Sequence, residues 1–181
     1  MIVINIIVAM VLMGGLLAGC QPKESEQAAS APSSSVTADA QKEQRFAASK
    51  KLMAQAVALL EQKDLQNAVM ALEASIKVAP DNYEPYVLMG QVLLNAKQYT
   101  QAEAILDQAT KIAPNEGGVF YLLATTFRME GKKLPAALAA RRAAEIFAAA
   151  KDQDNVKKVA ALLQDIISLP DDAPQPAANQ Q

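Results

Sequence analysis

The sequence predicts an all-α fold: three helical hairpins stacked in series and closed by a capping helix. Three observations carry this. Ala68, Ala102 and Ala136 recur every 34 residues, and Pro80 and Pro114 stand at the same period. That period belongs to helix-turn-helix units, each of which leaves an apolar face that only a neighbouring unit can bury. Between the punctuating turns, large apolar residues fall at helical spacing, three and four apart.

The elements follow in order. The first helix is expected to start near Asp39 as its cap and to run through Phe46, Leu52, Met53, Ala56, Leu59 and Leu60. Lys63-Asp64 makes a turn, and a second helix spans Leu65 to Val78. Pro80-Asp81-Asn82 ends it, because proline disfavours the helical conformation in the residue before it. The next hairpin turns at Ala96 to Gln98. In the third, Glu130-Gly131-Lys132 forms the turn, and Pro135 falls in the first turn of the following helix, where a missing amide costs nothing. After Lys151-Asp152-Gln153-Asp154 a last helix carries Val156, Val159, Leu163, Ile166 and Ile167 on one face, with Lys157, Lys158, Gln164 and Asp165 outside it. A stack of repeats needs such a half-polar element to cover its open end. Pro170 stops it, and residues 170–181, rich in Pro, Ala and Gln, are expected to be a disordered tail.

At this period the sequence resembles the tetratricopeptide repeat family. The middle copy, residues 83–116, holds the signature positions as Tyr86, Met89, Gly90, Leu93, Tyr99, Ala102, Leu106, Ala109 and Pro114. The first copy, 49–82, has Leu52, Ala56, Leu59, Leu65, Ala68, Leu72, Ser75 and Pro80, with Gln55 where the family has a large apolar residue. The third, 117–150, has Phe120, Leu123, Ala124, Phe127, Ala136 and Ala143, but Ala140 stands for a bulky residue and Ala148 for the proline, so its second helix should run longer. The resemblance implies a right-handed superhelix over 41–150, capped by 151–169.

The amino terminus carries a different signal. An apolar run from Ile2 to Leu17, broken by Asn5 and Gly14-Gly15, ends in Leu17-Ala18-Gly19-Cys20. This resembles a bacterial lipoprotein signal, residues 1–19, whose cleavage leaves Cys20 as the lipid-bearing first residue. Met1 to Asn5 lacks the lysine or arginine usual in such a signal. The other reading is an uncleaved anchor, for which a run of about 17 residues is at the short limit of a bilayer span. Gln21, where inner-membrane lipoproteins of many Gram-negative bacteria carry aspartate, implies the periplasmic face of the outer membrane in a Gram-negative host, and the inner or cell membrane in another. Residues 20–40, mostly Gln, Ser, Ala and Pro, are expected to form a disordered tether. About 20 such residues average roughly 25 Å end to end and reach about 65 Å when stretched.

Composition narrows the function. The chain has 181 residues, 17 basic and 19 acidic, for a formal charge of -2. That balance offers no general attraction for nucleic acid, whose affinity comes mostly from neutralising phosphates. With no histidine, the sole cysteine assigned to lipid and no glycine-rich phosphate loop, no nucleophile and base can be assembled. The chain is therefore expected to be no enzyme and to need no cofactor or metal. Asp152-Gln153-Asp154 begins like a calcium loop but lacks its glycine and closing glutamate, and is read as a helix cap.

In the repeat family the first helix of each hairpin lines a concave surface. The register implies Met53, Val57 and Leu60, then Val87, Gln91 and Leu94 with Asn95, then Tyr121, Thr125 and Arg128. Each set has i, i+4, i+7 spacing and shares one helix face. The alternative is that several of these are core. The family's carboxylate clamp is not reproduced. The resemblance implies a scaffold or assembly factor of the bacterial envelope, held to the membrane through Cys20 and binding an envelope protein or peptide segment, akin to pilotins and outer-membrane assembly lipoproteins. A carrier of a small apolar ligand or lipid, or a self-association module, are the competing readings. Arg141-Arg142 with Lys132-Lys133 form either a basic patch or solvated helix faces.

Overall fold

The computed structural model describes residues 34–170. They form seven helices and, among the described residues, no strand: α1 Ser34–Glu61, α2 Leu65–Val78, α3 Glu84–Asn95, α4 Tyr99–Ile112, α5 Gly117–Met129, α6 Lys133–Ala149 and α7 Gln153–Ile167. The expected signal segment, Cys20, residues 20–33 of the expected tether and the tail beyond Pro170 lie outside the described residues. Within them, α1 pairs with α2, α3 with α4 and α5 with α6, while α2–α3, α4–α5 and α6–α7 contacts stack the pairs into a superhelical series. Among the described residues no helix is long and apolar enough to cross a membrane.

One boundary differs from expectation. α1 begins at Ser34, so Asp39 lies inside the helix instead of capping it, and the last residues expected in the tether are helical. Nothing after Pro32 breaks a helix, and Ala38 to Arg45 is dense in residues that lose little freedom in one. This first stretch is largely exposed, yet Lys42 and Arg45 reach Asp81 beyond α2 at 3.6 and 3.4 Å. Such exposed pairs add little stability.

The turns share one construction. Lys63, Lys97 and Gly131, each 34 residues from the next, adopt left-handed φ of 61°, 61° and 77°, and Lys151 repeats it before α7 at 60°. The amide that follows each, on Asp64, Gln98, Lys132 and Asp152, bonds back five residues to Leu59, Leu93, Phe127 and Phe147. This closes otherwise unpaired helix-end carbonyls in the Schellman manner. Two of the four following residues also cap the next helix: Asp64 accepts from the Asn67 amide at 3.2 Å and Asp152 from the Asn155 amide at 3.0 Å. The Asn155 side-chain amide also donates to Asp152, at 2.7 Å, and the backbone and side-chain bonds of Asn155 together hold the Asp152 carboxyl below the ordinary aspartate value.

Helices approach closely where the copies carry small residues. Ala56, Ala68, Ala102, Ala124 and Ala136 are fully buried. Gly90 belongs to this set: a Cβ placed on it would lie 2.5 Å from Leu106 Cδ2 of α4. Gln55, the departure from the family in the first copy, is exposed and so has no apolar pocket to fill. As expected, α6 is longest of the second helices, with 17 residues against 14 in α2 and α4. Its alanines Ala136, Ala139, Ala140 and Ala143 form the buried stripe against which the last helix closes. α7 buries Val159, Leu162 and Ile166, whereas Ile167, expected inside, is 67% exposed. The helix touches α6 and only the margin of α5, so its buried stripe is narrow and shifted toward Leu162.

Two buried polar groups lock the array, one within the first hairpin and one between the second and third. Ser49 of α1 and Ser75 of α2 share a hydrogen bond of 2.7 Å, Ser75 Oγ also donates to the Ser49 carbonyl at 2.9 Å, and the Asn82 amide donates to Ser49 Oγ at 3.4 Å. Asn82 Oδ1 accepts from the Glu84 amide at the start of α3. Between the second and third hairpins, Lys132 reaches Glu103 Oε2 at 2.6 Å and Glu130 Oε2 at 3.0 Å, and Thr100 donates to Glu130 Oε1 at 3.1 Å. Glu130 is 3% exposed and its Oε2 has no hydrogen bond of good geometry, so the Lys132 ammonium is the ion that answers it.

Candidate functional site

The first helices of the hairpins run in the same sense, because each is followed by a short turn and an antiparallel partner. On the face they present together, a cleft of about 350 Å³ opens. Met53 of α1, Val87, Leu88 and Gln91 of α3, and Gly118 and Val119 of α5 line it. Three of the expected concave positions, Met53, Val87 and Gln91, are thus brought together. Gln91 is exposed, whereas Met53 and Val87 are half-buried, so the cleft offers an apolar wall with one free amide.

The remaining positions are placed apart from it. Leu60 and Asn95 line a second small cleft with Leu65 and Val92. Leu94 packs against the core of the first two hairpins, and Val57 is 42% exposed. Tyr121 packs against the core of the third hairpin. Thr125 spends its hydroxyl on the Tyr121 carbonyl at 2.9 Å. Arg128 is half-buried, with Nη2 against Met129 Sδ at 3.4 Å and a buried Nε that has no protein partner.

Sequence reasoning missed the acidic edge of the cleft. Tyr83, Glu84 and Glu116 border it, and the Tyr83 hydroxyl donates to Glu116 Oε2 at 3.4 Å. Burial, followed by the charges of Glu116 and Glu84, pushes the Tyr83 phenol above its ordinary value, so it stays a donor at neutral pH. The edge joins the first residues of the middle copy, 83–116, to its last, a meeting that spacing along the chain does not announce.

The basic residues noted in sequence do not assemble. Lys132 turns inward to its two glutamates. Lys133 donates to the Leu169 carbonyl at 3.0 Å and so ties α6 to the end of α7. Arg142 lies over the Phe120 ring at 5.9 Å and donates to the Pro114 carbonyl and Glu145. These cations are spent on the fold.

A larger concavity, about 680 Å³, lies on the opposite face between α2 and α4. Met89 and Leu93 of α3 are its floor, Val69, Met70 and Ile105 its walls, and Gln66, Gln98 and Gln101 its rim, with Glu73 the one charged residue. The register of the first helices does not point to it, because α2 and α4 supply most of its lining. The relevant signal is periodic: Met70, Ala104 and Leu138 are equivalent, and the small Ala104 leaves room between its larger counterparts.

Comparison with known proteins agrees with this architecture. Residues 59–125 match the tetratricopeptide repeat family profile. No curated protein sequence matches the chain. Among solved structures, the TPR2B-domain:pHsp70-complex of yeast Sti1 is similar with a TM-score of 0.60 at 18% identity, over 72% of this chain and 99% of that one. The Yersinia enterocolitica type III secretion translocator chaperone SycD (alternative dimer) is similar with a TM-score of 0.61 at 15% identity, over 66% of this chain and 91% of that one. PcrH in complex with the chaperone binding region of PopD is similar with a TM-score of 0.61 at 15% identity, over 66% and 90% respectively; PcrH is from Pseudomonas aeruginosa. At these identities the likeness is one of fold.

Proposed function

We infer that the chain is a protein-interaction scaffold, held on the bacterial envelope by lipid on Cys20, that takes a segment of a partner protein in its concave cleft. The observation that carries this is the joining of Met53, Val87 and Gln91 from two hairpins into one open, largely apolar surface. Similar solved structures include complexes with pHsp70 and with the chaperone binding region of PopD, which supports peptide capture by this architecture. An apolar wall with a free amide suits a segment that inserts side chains while its backbone is held by a hydrogen bond. A carrier of small apolar ligands would enclose its cargo, whereas both main clefts open to solvent. The envelope role rests on the likeness of residues 1–20 to a lipoprotein signal.

Two experiments test this reading. Replacing Met53 and Gln91 together with alanine should reduce the amount of copurified partner, measured by quantitative mass spectrometry from solubilised membranes, by about tenfold or more. Anchor residues central to an interface typically contribute about 2 kcal/mol or more. Neither side chain is fully buried, so helicity should hold. Retention of every partner at parental yield would remove the concave cleft from the mechanism. Separately, Cys20→Ser should move the protein out of the outer-membrane fraction. Unchanged fractionation with the apolar segment still present by mass would replace the lipid anchor with an uncleaved one.

A further inference from the structure

Exposed large apolar side chains are concentrated on the second helices of the hairpins. Leu134 and Leu138 of α6 are 70% and 57% exposed, and Met70 of α2 is 52% exposed. A leucine pair four residues apart is a ridge on one helix face, and Arg141 extends it, about 10 Å from Leu134 along the axis. The α2–α4 cleft presents the complementary shape, an apolar trough ending at Glu73.

We propose that this face is a self-association surface, on which the α6 ridge of one copy enters the α2–α4 cleft of a second copy, and the reverse. The repeat supplies the register. Gln66, Met70 and Glu73 of α2 occupy the same repeat positions as Leu134, Leu138 and Arg141 of α6, two periods apart. The second helices run in one sense, so a two-fold axis parallel to them and passing α4 lays α6 along α2 of the partner. Leu138 then meets Met70, and Arg141 meets Glu73, twice in the same interface, as a closed isologous contact requires. At the axis stands Ala104, small enough for the two α4 helices to approach. Asp107, its neighbour one turn on, is already neutralised by Lys111 at 2.6 Å.

Charge decides for a second copy over an unrelated apolar segment. Among the described residues neither Glu73 nor Arg141 has an ion-pair partner, so both are open to a second copy. The trough carries one acid and no base, and the ridge ends on a base. Opposite charges at matching ends of ridge and trough fix direction as well as attraction. The surface lies opposite the concave cleft, so self-association would leave the partner site free.

The test uses the full chain in detergent. Met70→Cys with Leu138→Cys should give a disulfide-linked dimer under mild oxidation, with linked peptides joining position 70 to position 138; α4 separates the two positions within one chain, and mapping by mass excludes links through Cys20. Glu73→Arg or Arg141→Glu alone in this background should reduce the linked dimer at least fivefold, and the two together should restore it. A structural role for either residue would not be rescued by the exchange. A monomer at all concentrations by sedimentation, links through other positions, or no recovery in the exchanged variant would overturn the proposal. So would linkage of Leu138→Cys to a different protein, or its protection from a soluble maleimide by phosphatidylglycerol vesicles and not by raised protein concentration.

Discussion

Gly90→Leu should abolish the cooperative thermal melt. A Cβ at this position falls 2.5 Å from Leu106 Cδ2 and 2.6 Å from Cγ, distances no packed carbon tolerates, and leucine adds three more carbons behind it. Leu106 cannot give way, because it is itself fully buried and is counted in the core that continues into the third hairpin. Relief therefore requires α3 and α4 to separate. Overpacking of a well-filled core costs about 1–3 kcal/mol and more where the backbone must move, against a total stability of about 5–15 kcal/mol for a domain. Because α3 and α4 form the middle pair, their separation uncovers both neighbours. Circular dichroism against temperature is the measurement, and an unchanged midpoint would show that the two helices are not held at this distance.

Lys132→Met is the second large effect. The substitution keeps an unbranched apolar stem but removes the ammonium, which is shared by Glu130 and Glu103 and stands 5.7 Å from the Phe127 ring centroid. Glu130 is then a buried carboxylate with only the Thr100 hydroxyl for company. Breaking one side of a buried pair costs about 3–5 kcal/mol. Lys132 and Glu103 are 24% and 30% exposed, so the lower end applies, and the melting midpoint should fall by roughly 10 °C. Adding Glu130→Gln should recover most of the loss, since the orphaned charge is gone. A Lys132→Met midpoint within about 1 °C of the parent would sink the assignment. The pH dependence has a sign. Burial alone would lower the Lys132 pKa, but the hydrogen bonds and charges of Glu103 and Glu130 outweigh it and raise it above the ordinary lysine value. The contribution is complete below the unfolded value and disappears as pH climbs through the higher folded one. The parent should keep its advantage over Lys132→Met at pH 10 and lose it only above the ordinary lysine range.

The architecture was legible because a 34-residue period with small residues at crossing points leaves few alternatives. The turns at Lys63-Asp64, at Ala96 to Gln98 and at Glu130 to Lys132 fell where the hydrophobic pattern broke, and each break matches a left-handed residue. The start of α1 was not legible, because exposed residues with good helix propensity give no amphipathic signal. α7 was read with the right register but too wide a face, since nothing in its own sequence says how much neighbour it will meet. Of the concave surface, Met53, Val87 and Gln91 emerged from the register alone. That Tyr121 packs on the core and that Glu84 and Glu116 share an edge depends on distances across hairpins, which a period does not encode. The polar keys were invisible for the same reason: Ser49, Ser75 and Asn82 are far apart in sequence and ordinary in kind.

Those keys make the three hairpins non-interchangeable. Within the first copy Ser49 answers both Ser75 and Asn82, and at the equivalent places of the second copy stand Tyr83, Ala109 and Glu116. Glu130 is answered from Thr100 and Lys132, whose counterparts one copy earlier are Gln66 and Gln98. The apolar pattern alone would tolerate the hairpins in any sequence, since alanine against leucine recurs at each crossing. The buried carboxylate does not, because a transposed third hairpin would carry Glu130 and Lys132 to a junction without Thr100 and Glu103. The linear order of the array is thus written in its least repetitive residues.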